Sequence, residues 1–392
     1  MGLERPVRGV SEHEIVVAGL SGLSSPEGGY AGADIGAWAR FHRANAAGGI
    51  HGRRIRYIAG RDDHEDAERN LQELYRLIND DGVFAIVPQV GRGLQRESSD
   101  LLDGKQVPFV GWGFNPGYRT SRFGFGFNGY LLAEDVPNLA SAGALVQGLD
   151  LRPGTTVAIQ SWKGEGGTKG GRQMAASYEA YGLDVVLMDD QLDETMPVDF
   201  DEHASRLLSS AGGSPPDVIV MSFRFENTLG LTRALRRRGY QGVLNNHITY
   251  APGLLERNPE IARVLDGVYV NTQFLPEEFG GQAIRQQLAD LAALGADAHM
   301  TFGGAIGYWC ADVFVQMLQA VGPELRPEHF DKVINSGFTY EPWGDIPGIG
   351  PVRFPDGHYH GASNAALVRI VDGAYRPILP MTHFSLPAGS KK

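Results

Sequence analysis

The stretch Glu14–Asn45, EIVVAGLSGLSSPEGGYAGADIGAWARFHRAN, decides how the rest of the chain is interpreted. It opens with an apolar run at 15–20, whose β-branched residues next to glycine predict a buried parallel strand. A loop of small residues follows, and a helical pattern begins near Tyr30. The apolar residues of that helix fall roughly on one face: Ala31, Ile35, Trp38 and Phe41. Strand, loop and helix form half of a βαβ unit, so we expect Ser21–Tyr30 to face a ligand.

This loop does not have the spacing of a nucleotide-binding loop. A dinucleotide fingerprint needs the pattern GxGxxG, and the chain offers Gly19-Leu20-Ser21-Gly22 instead. No acidic residue closes a second strand at the required distance, and the phosphate-binding pattern GxxxxGK[ST] is absent from the sequence. The loop is therefore predicted to line a pocket for a small molecule.

Strands and helices alternate along most of the remaining sequence. Apolar strand patterns at 83–87 and 107–111 are each preceded by a helical pattern, and a second series of the same kind runs from 156 to about 250. This alternation predicts an α/β fold with doubly wound parallel sheets. A length of 392 residues favours two domains over one. Two such lobes leave a cleft between them, which is a common place for ligands.

Composition and charge exclude several classes of protein. The formal net charge of −11 disfavours nucleic acid and anionic membranes as partners. No apolar run approaches the roughly 20 residues of a membrane-spanning helix. The single cysteine, Cys310, lies in an apolar helical pattern, which predicts a buried core thiol.

Several motifs, in this order, resemble those of the type I periplasmic binding proteins. The first helix ends in N-x-x-G-G-I-x-G, a strand follows, and a D-D-x-x-D turn leads into the next helix. The matching residues are Asn45, Gly48, Gly49, Ile50, Gly52, Asp62, Asp63 and Asp66. Further matches lie at Leu265–Tyr269 and Gly350–Gly357. More narrowly, the chain is similar to the branched-chain amino-acid (Leu/Ile/Val) receptor group of ABC importers.

The resemblance implies an architecture and a role. Similar proteins have two lobes joined by a hinge of three crossovers, here expected near 130, 274 and 335. The N-terminal lobe would comprise 12–130 and 275–335, and the C-terminal lobe 131–274 and 336–384. The expected partners are a small-molecule ligand and a membrane permease, without nucleic acid, membrane insertion or cofactor, and the protein is expected to be a monomer.

The resemblance also implies an extracytoplasmic location, in the periplasm or at the cell surface, with or without a lipid anchor. Residues 1–12 are polar and lack the hydrophobic region of a signal peptide. We therefore expect that a signal peptide has been removed.

The loops that follow predicted strands supply the candidate ligand-binding residues. They are Ser21, Tyr30, Arg92, Trp112, Phe114, Asn115, Trp162, Lys163, Phe223, Arg224, His247 and Tyr250. Large aromatic residues at polar loop positions are unusual if they only pack a core, although each could also do so. An arginine in such a loop could anchor a carboxylate through two hydrogen bonds, or it could lie solvated on the surface.

Two loops depart from the pattern of the amino-acid receptors. Those receptors carry Ser-Ser or Ser-Thr after the strand matching 83–87, and Ala-x-Thr after the strand matching 107–110, and these groups hold the carboxylate and amine of the ligand. Here the loops read 91–94, GRGL, and 112–115, WGFN. Missing hydroxyl groups and added rings favour a carboxylic acid with an aromatic or alicyclic body. Trp112 and Trp162 would then face each other across the cleft.

Other readings of the sequence remain as alternatives. The same fold could serve an aliphatic amino acid or amide, or a cytosolic ligand-sensing regulator. An enzyme is disfavoured because the patterns GxSxG, HExxH and CxxC are absent. The pair in His358-Tyr359-His360 is predicted to lie in a solvated turn and not to bind metal. The acidic cluster at 62–66 is predicted to begin a helix, and the basic run at 236–238 to end one.

Overall fold

Two β-sheets and a small two-stranded sheet organise the chain in the computed structural model. It describes residues 6–24, 29–113, 117–129, 139–194, 197–247, 250–296, 299–354, 359–361 and 364–384. The strands are β1 (Glu14–Ser21), β2 (Arg54–Ile58), β3 (Ala85–Val90), β4 (Phe109–Trp112), β5 (Gly124–Gly129), β6 (Thr156–Trp162), β7 (Asp184–Leu192), β8 (Val218–Ser222), β9 (Val243–Asn246), β10 (Tyr269–Thr272), β11 (Thr339–Tyr340), β12 (Val352–Arg353), β13 (Tyr359–Gly361), β14 (Asn364–Val371) and β15 (Ala374–His383).

The α-helices lie between these strands. They are α1 (Ala33–Ala46), α2 (Ala67–Asn79), α3 (Arg96–Gly104), α4 (Gly117–Thr120), α5 (Leu139–Leu149), α6 (Glu165–Ala180), α7 (Phe200–Leu208), α8 (Phe225–Arg237), α9 (Pro252–Arg257), α10 (Pro259–Leu265), α11 (Gln282–Ala292), α12 (Phe302–Val321) and α13 (Pro327–Asn335). Within the described residues, none is both long enough and apolar enough to cross a membrane.

Both large sheets follow the same winding order. The first runs β13-β5-β4-β3-β1-β2 and all its strand pairs are parallel. The second runs β15-β14-β10-β9-β8-β6-β7, and its strands β6 to β10 are parallel. In each sheet the order reverses beside the first strand, between β1 and β3 and between β6 and β8. The predicted α/β fold with two doubly wound lobes is confirmed.

The second sheet also contains an antiparallel hairpin that the strand–helix alternation did not predict. Strands β14 and β15 pair with each other, and β14 pairs antiparallel with β10. The turn between them is Asp372-Gly373, with φ angles of 51° and 78°. An Asp-Gly pair with two left-handed residues is typical of a tight hairpin, so the sequence did carry this signal.

The predicted turn at 358–360 is wrong where the structure describes it. Residues Tyr359–Gly361 form β13, which pairs with β5, whereas His358 lies outside the described residues. Without β13, strand β5 would be the unpaired edge of the first sheet, and edges are commonly covered in this way. The lobe boundaries given above stay a prediction, and β13 joins the first sheet although the prediction assigned 336–384 to the second lobe.

The buried face of α1 also differs from the prediction. Trp38 is 44% exposed, whereas Ala37 and Phe41 are fully buried. Helix α1 packs against α12 through backbone contact, because a Cβ atom on Gly36 would lie within 2.0 Å of the carbonyl oxygen of Gly304. Small residues therefore set how closely α1 approaches α12, and Trp38 lies outside the buried face. The prediction of a buried thiol is confirmed, since Cys310 lies in α12 and is fully buried.

Candidate functional site

The residues that meet across the cleft follow the carboxyl ends of parallel strands from both sheets. In the first sheet Ser21 ends β1 and Arg92 follows β3, on either side of the point where the strand order reverses. In the second sheet Trp162 ends β6 and Arg224 follows β8, at the equivalent point. Ligands of doubly wound sheets bind at such switch points. The fold therefore brings two switch points together.

Two ion pairs link the sheets across this cleft. Arg92 Nη1 lies 2.5 Å from Glu194 Oε2, and Arg224 Nη2 lies 2.5 Å from Glu65 Oε2. Each side contributes one arginine and one glutamate, since Glu65 lies between β2 and α2 and Glu194 follows β7. We call Glu65, Arg92, Glu194 and Arg224 the charge quartet. Its formal charges sum to zero.

A left-handed turn presents Glu65 to the cleft. His64 and Glu65 have φ angles of 52° and 60°, a conformation that costs energy for residues other than glycine. Asp63 stabilises the turn, since its carboxylate accepts hydrogen bonds from the Glu65 amide at 2.9 Å and from Asn70 Nδ2 at 2.7 Å. Burial raises the pKa of Asp63 to about 6. Asp66 caps α2 by accepting from the Arg69 amide, which confirms that the acidic cluster begins a helix.

Glu194 anchors the start of α8. Its Oε1 accepts a hydrogen bond from the backbone amide of Arg224 at 2.9 Å and another from Asn227 Nδ2 at 3.2 Å. The Glu194 side chain is only 4% exposed. A carboxylate at a helix N-terminus interacts favourably with the free amides and the helix dipole. Glu194 thereby fixes the place from which the Arg224 side chain enters the cleft.

Arg224, and not the phenylalanines beside it, reaches towards the opposite lobe. Phe223 is fully buried and Phe225 is 5% exposed, whereas the Arg224 guanidinium contacts Glu65. Its Nε is buried and lies 3.9 Å from Glu194 Oε2, which is beyond hydrogen-bond distance. Within the described residues this Nε donates no hydrogen bond. Buried donors are usually satisfied, so this N–H group is suited to an oxygen atom of a ligand.

The two tryptophans lie in different surroundings. The Arg92 guanidinium sits 4.8 Å from the centroid of the half-buried Trp162 ring, in a cation–π contact across the cleft. Trp112 is 4% exposed, packs against Phe127 and donates from Nε1 to Gln273 Oε1 at 2.8 Å. Among the described residues no ring contact joins Trp112 to Trp162, and their facing each other across a ligand stays a prediction.

Tyr30 and Ser21 complete the first side of the cleft. The half-buried Tyr30 packs against Phe302 with ring centroids 6.3 Å apart. Burial, followed by the nearby negative charge of Glu65, raises the pKa of Tyr30, so its hydroxyl stays protonated and can donate. Ser21 is 1% exposed, and its Oγ makes no hydrogen bond to any described residue.

The other predicted site residues have different places. Lys163 is exposed and its Nζ pairs with Asp193 at 3.2 Å. Tyr250 is buried and donates its hydroxyl to Glu278 Oε2 at 2.7 Å. His247 is also buried, which lowers its pKa to about 3 and keeps the ring neutral. The predicted residues Phe114 and Asn115 lie outside the described residues.

Two residues of the quartet, Glu65 and Glu194, were not predicted as site residues. Glu65 was assigned to a helix start, and no residue after the strand that became β7, which ends at Leu192, was among the candidates. The loops after β2 and β7 were therefore not considered as part of the cleft. Applying the strand-end rule to every strand finds both glutamates.

A metal site is not indicated, because the described residues contain no group of three or more His, Cys, Asp or Glu side chains placed to hold a metal ion.

A family model described as periplasmic binding protein matches residues 14–374. A comparison with curated protein sequences finds no significant match.

Solved structures of similar fold cover nearly the whole chain. A fatty acid ABC transporter substrate-binding protein from Thermomonospora curvata has a TM-score of 0.75 and 16% identity, covering 99% of this chain and 98% of its own. A solute-binding protein of an ABC transporter from Rhodopseudomonas palustris HaA2, in complex with p-hydroxybenzoic acid, has a TM-score of 0.72 and 19% identity, covering 94% and 96%. The branched-chain amino acid transporter substrate-binding protein LivJ from Streptococcus pneumoniae, in complex with isoleucine, has a TM-score of 0.71 and 15% identity, covering 95% and 100%.

The family match, the two doubly wound lobes and the cleft between their switch points agree with one another. Proteins of this family are extracytoplasmic and bind solutes. The chain belongs to the periplasmic binding protein family, and its fold is that of the type I members.

Proposed function

We propose that this protein is the extracytoplasmic receptor of an ABC importer and that its ligand is a small carboxylic acid with an aromatic or alicyclic body. It would deliver this ligand to a membrane permease, act as a monomer and catalyse no reaction. The observation that carries the proposal is the buried Nε of Arg224, which faces the cleft without a hydrogen-bond acceptor among the described residues.

A carboxylate satisfies this donor well. Charge-assisted hydrogen bonds from a guanidinium to a carboxylate are roughly twice as strong as those between neutral groups. The quartet alone has no net charge, so one added carboxylate meets no prior excess of negative charge. Tyr30 lies near the same charged groups, and because its hydroxyl stays protonated it adds no negative charge that would repel the carboxylate.

The ring of the ligand would lie against Trp162. One face of this tryptophan already carries the Arg92 guanidinium, so an aromatic or alicyclic body would pack beside a preformed stack. Burial of apolar surface contributes about 25 cal/mol per Å² before the costs of association. The structure in complex with p-hydroxybenzoic acid has the same fold, and this supports a ring-bearing acid as the ligand.

An α-amino acid fits these contacts less well. An ammonium group needs a carboxylate partner, and both carboxylates of the quartet are already paired with arginines. Leucine would also make a smaller contact with the Trp162 ring than an aromatic or alicyclic body would. The isoleucine complex on the same fold makes this class the alternative to test.

A thermal-shift screen tests the proposal. Benzoate, 4-hydroxybenzoate, cyclohexanecarboxylate and leucine are added in excess to the wild-type protein and to Arg224→Ala. Ligands that bind the native state raise its melting temperature. We expect the ring-bearing acids to stabilise the wild type and not Arg224→Ala, whereas a control, Arg152→Ala, replaces an arginine that is 75% exposed and should respond like the wild type. A shift with leucine alone would support the amino-acid alternative.

A further inference from the structure

A second cavity lies at the opposite end of the second lobe from the cleft. It has a volume of about 830 Å³ and is bordered by Val243 and Tyr269, the first residues of β9 and β10. The cleft residues follow the carboxyl ends of the parallel strands, so this cavity is at the far end of the same sheet. We call it the distal arginine cavity, because five arginines line it: Arg233, Arg236, Arg237, Arg263 and Arg369.

The charge of this cavity is opposite to that of the whole chain. Its lining includes only two acidic residues, Glu260 and Asp266, against the five arginines. The chain as a whole has a formal net charge of −11. A concentration of positive charge on an acidic protein attracts anions to that place.

Among the residues that the structure describes, three of the five arginines have no acidic partner. Arg237 pairs with Asp201 at 3.2 Å, and Arg233 approaches Glu260 at 3.9 Å. Within the described residues Arg236, Arg263 and Arg369 form no ion pair with a carboxylate. Arg236 donates to the carbonyl oxygens of Tyr240 at 3.0 Å and of Asp266 at 3.4 Å. Arg263 donates to that of Pro259 at 3.4 Å, and the Arg369 guanidinium lies over the Tyr269 ring at 5.1 Å.

Two of these guanidinium groups converge on one point above Gly267. The position that a Cβ atom would take on this residue lies 3.4 Å from Arg236 Nη2 and 3.6 Å from Arg369 Nη2. Gly267 has a φ of 80°, which suits glycine and leaves the space open. Two like charges this close to the same point repel each other, and the attraction of both to a bound anion would offset that repulsion.

Favourable interaction with helix ends explains only part of the cluster. Arg236 and Arg237 lie in the last turn of α8 and Arg263 in the last turn of α10, where cations interact favourably with the helix dipole. Arg369 belongs to strand β14, so the helix dipole does not account for it. The helix dipole also does not explain why the guanidinium groups of Arg236, from a helix, and Arg369, from a strand, lie close together above Gly267.

We propose that the distal arginine cavity binds a multiply charged oxyanion of the phosphate class. A guanidinium presents a planar fork of N–H donors that matches phosphate oxygens, and Arg236, Arg263 and Arg369 are available for it. The anion is either a free phosphate compound or the phosphate headgroups of an anionic membrane surface. The cavity and the cleft are separate sites, and this proposal does not depend on the identity of the cleft ligand.

The test uses the full chain and two probes at low ionic strength. Inorganic pyrophosphate is titrated by calorimetry, and binding to vesicles of phosphatidylglycerol is compared with binding to vesicles of phosphatidylcholine. The variant Arg263→Gln/Arg369→Gln removes two guanidinium groups that form no ion pair with a described carboxylate. The matched control, Arg56→Gln/Arg96→Gln, makes the same change of net charge at arginines of the first lobe that are 47% and 78% exposed.

We expect the cavity variant to weaken binding of the effective probe at least tenfold and the control to change it less than twofold. Pyrophosphate binding with this pattern supports a free anion as the ligand. Binding only to phosphatidylglycerol vesicles, with the same pattern, supports a membrane headgroup. If the wild type binds neither probe, or if both variants weaken binding equally, the proposal is overturned.

Discussion

The cleft and the distal arginine cavity lie at opposite ends of one sheet, and they use arginine in different ways. In the cleft, Arg92 and Arg224 each meet a glutamate from the opposite lobe, so the charge quartet is neutral. In the distal arginine cavity, Arg236 and Arg369 converge over Gly267, and neither forms an ion pair with a described carboxylate. Where the charges are paired, a ligand is selected by the few hydrogen-bond donors that the ion pairs do not use and by the shape of the site. Unpaired charges attract any suitable anion, and salt weakens that attraction.

The variant with the largest expected effect on ligand affinity in the cleft is Arg224→Ala. It removes the buried Nε donor and leaves the largely buried Glu65 carboxylate without its ion-pair partner, so an entering carboxylate would meet an uncompensated charge. We expect affinity for a ring-bearing acid to fall at least about 100-fold, or about 2.8 kcal/mol, when measured by calorimetry.

Arg224→Lys is the control for charge, since it keeps the cation but removes the planar donor group. It should weaken binding less than Arg224→Ala does. Affinity within twofold of the wild type in both variants would show that the carboxylate is bound elsewhere.

Trp162→Ala should have the next largest effect. It removes the stacking surface and the support that the ring gives to the Arg92 guanidinium. Stacking contributes about 0.5–1.5 kcal/mol beyond the burial of area, so we expect affinity to fall more than tenfold, or about 1.4 kcal/mol. Trp162→Phe keeps a ring and should recover part of the loss in the same titration. Equal affinities for the alanine and phenylalanine variants would exclude stacking as the reason.

Trp112→Ala is also expected to weaken binding more than tenfold, but it should destabilise the fold as well. Its ring is almost fully buried and its hydrogen bond to Gln273 joins β4 to the segment after β10. Truncation of a buried tryptophan costs about 3–5 kcal/mol of folding free energy. Urea unfolding of the ligand-free protein measures this cost. The ligand affinities of the wild type and Trp112→Ala are then compared in the absence of urea. A stable variant with unchanged affinity would place Trp112 outside the ligand site.

Strand ends were the most informative feature of the sequence. The rule that ligands bind beyond the carboxyl ends of parallel strands selected Ser21, Arg92 and Arg224, which the structure brings to the cleft. It could not tell which of Phe223, Arg224 and Phe225 points inward, because this depends on how Glu194 holds the start of α8.

Helix and sheet packing were harder to predict from sequence. The position of Trp38 on the exposed side of α1 follows from backbone contact between Gly36 and Gly304, which are distant in sequence. Such a close approach depends on two helices at once, so hydrophobic periodicity within one helix does not contain it. The pairing of β13 with β5 likewise depends on an edge that is visible only in the folded sheet.

The remaining prediction concerns stability and not affinity, at Asp63, which supports the turn that presents Glu65. Burial raises the pKa of Asp63 from 3.8 to about 6, so the folded protein binds a proton that the unfolded chain has already released. This contribution to stability is complete below pH 3.8 and is lost as the pH rises through 6, and it amounts to about 2–3 kcal/mol.

Asp63→Asn stays neutral at every pH and removes this dependence. The difference in unfolding free energy between the wild type and Asp63→Asn should therefore change between pH 3.8 and 6 and stay constant above that range. Urea titrations across the range measure it. A difference that is constant throughout would contradict a raised pKa at this residue.

The central claim is that the cleft binds a ring-bearing carboxylic acid and not a branched-chain amino acid. Isothermal titration calorimetry of the wild-type protein with 4-hydroxybenzoate, cyclohexanecarboxylate and leucine tests it most directly. We predict that at least one ring-bearing acid binds more tightly than leucine, with a stoichiometry of one per chain. Tight binding of leucine, with no heat from either ring-bearing acid, would contradict the claim and support an amino-acid receptor.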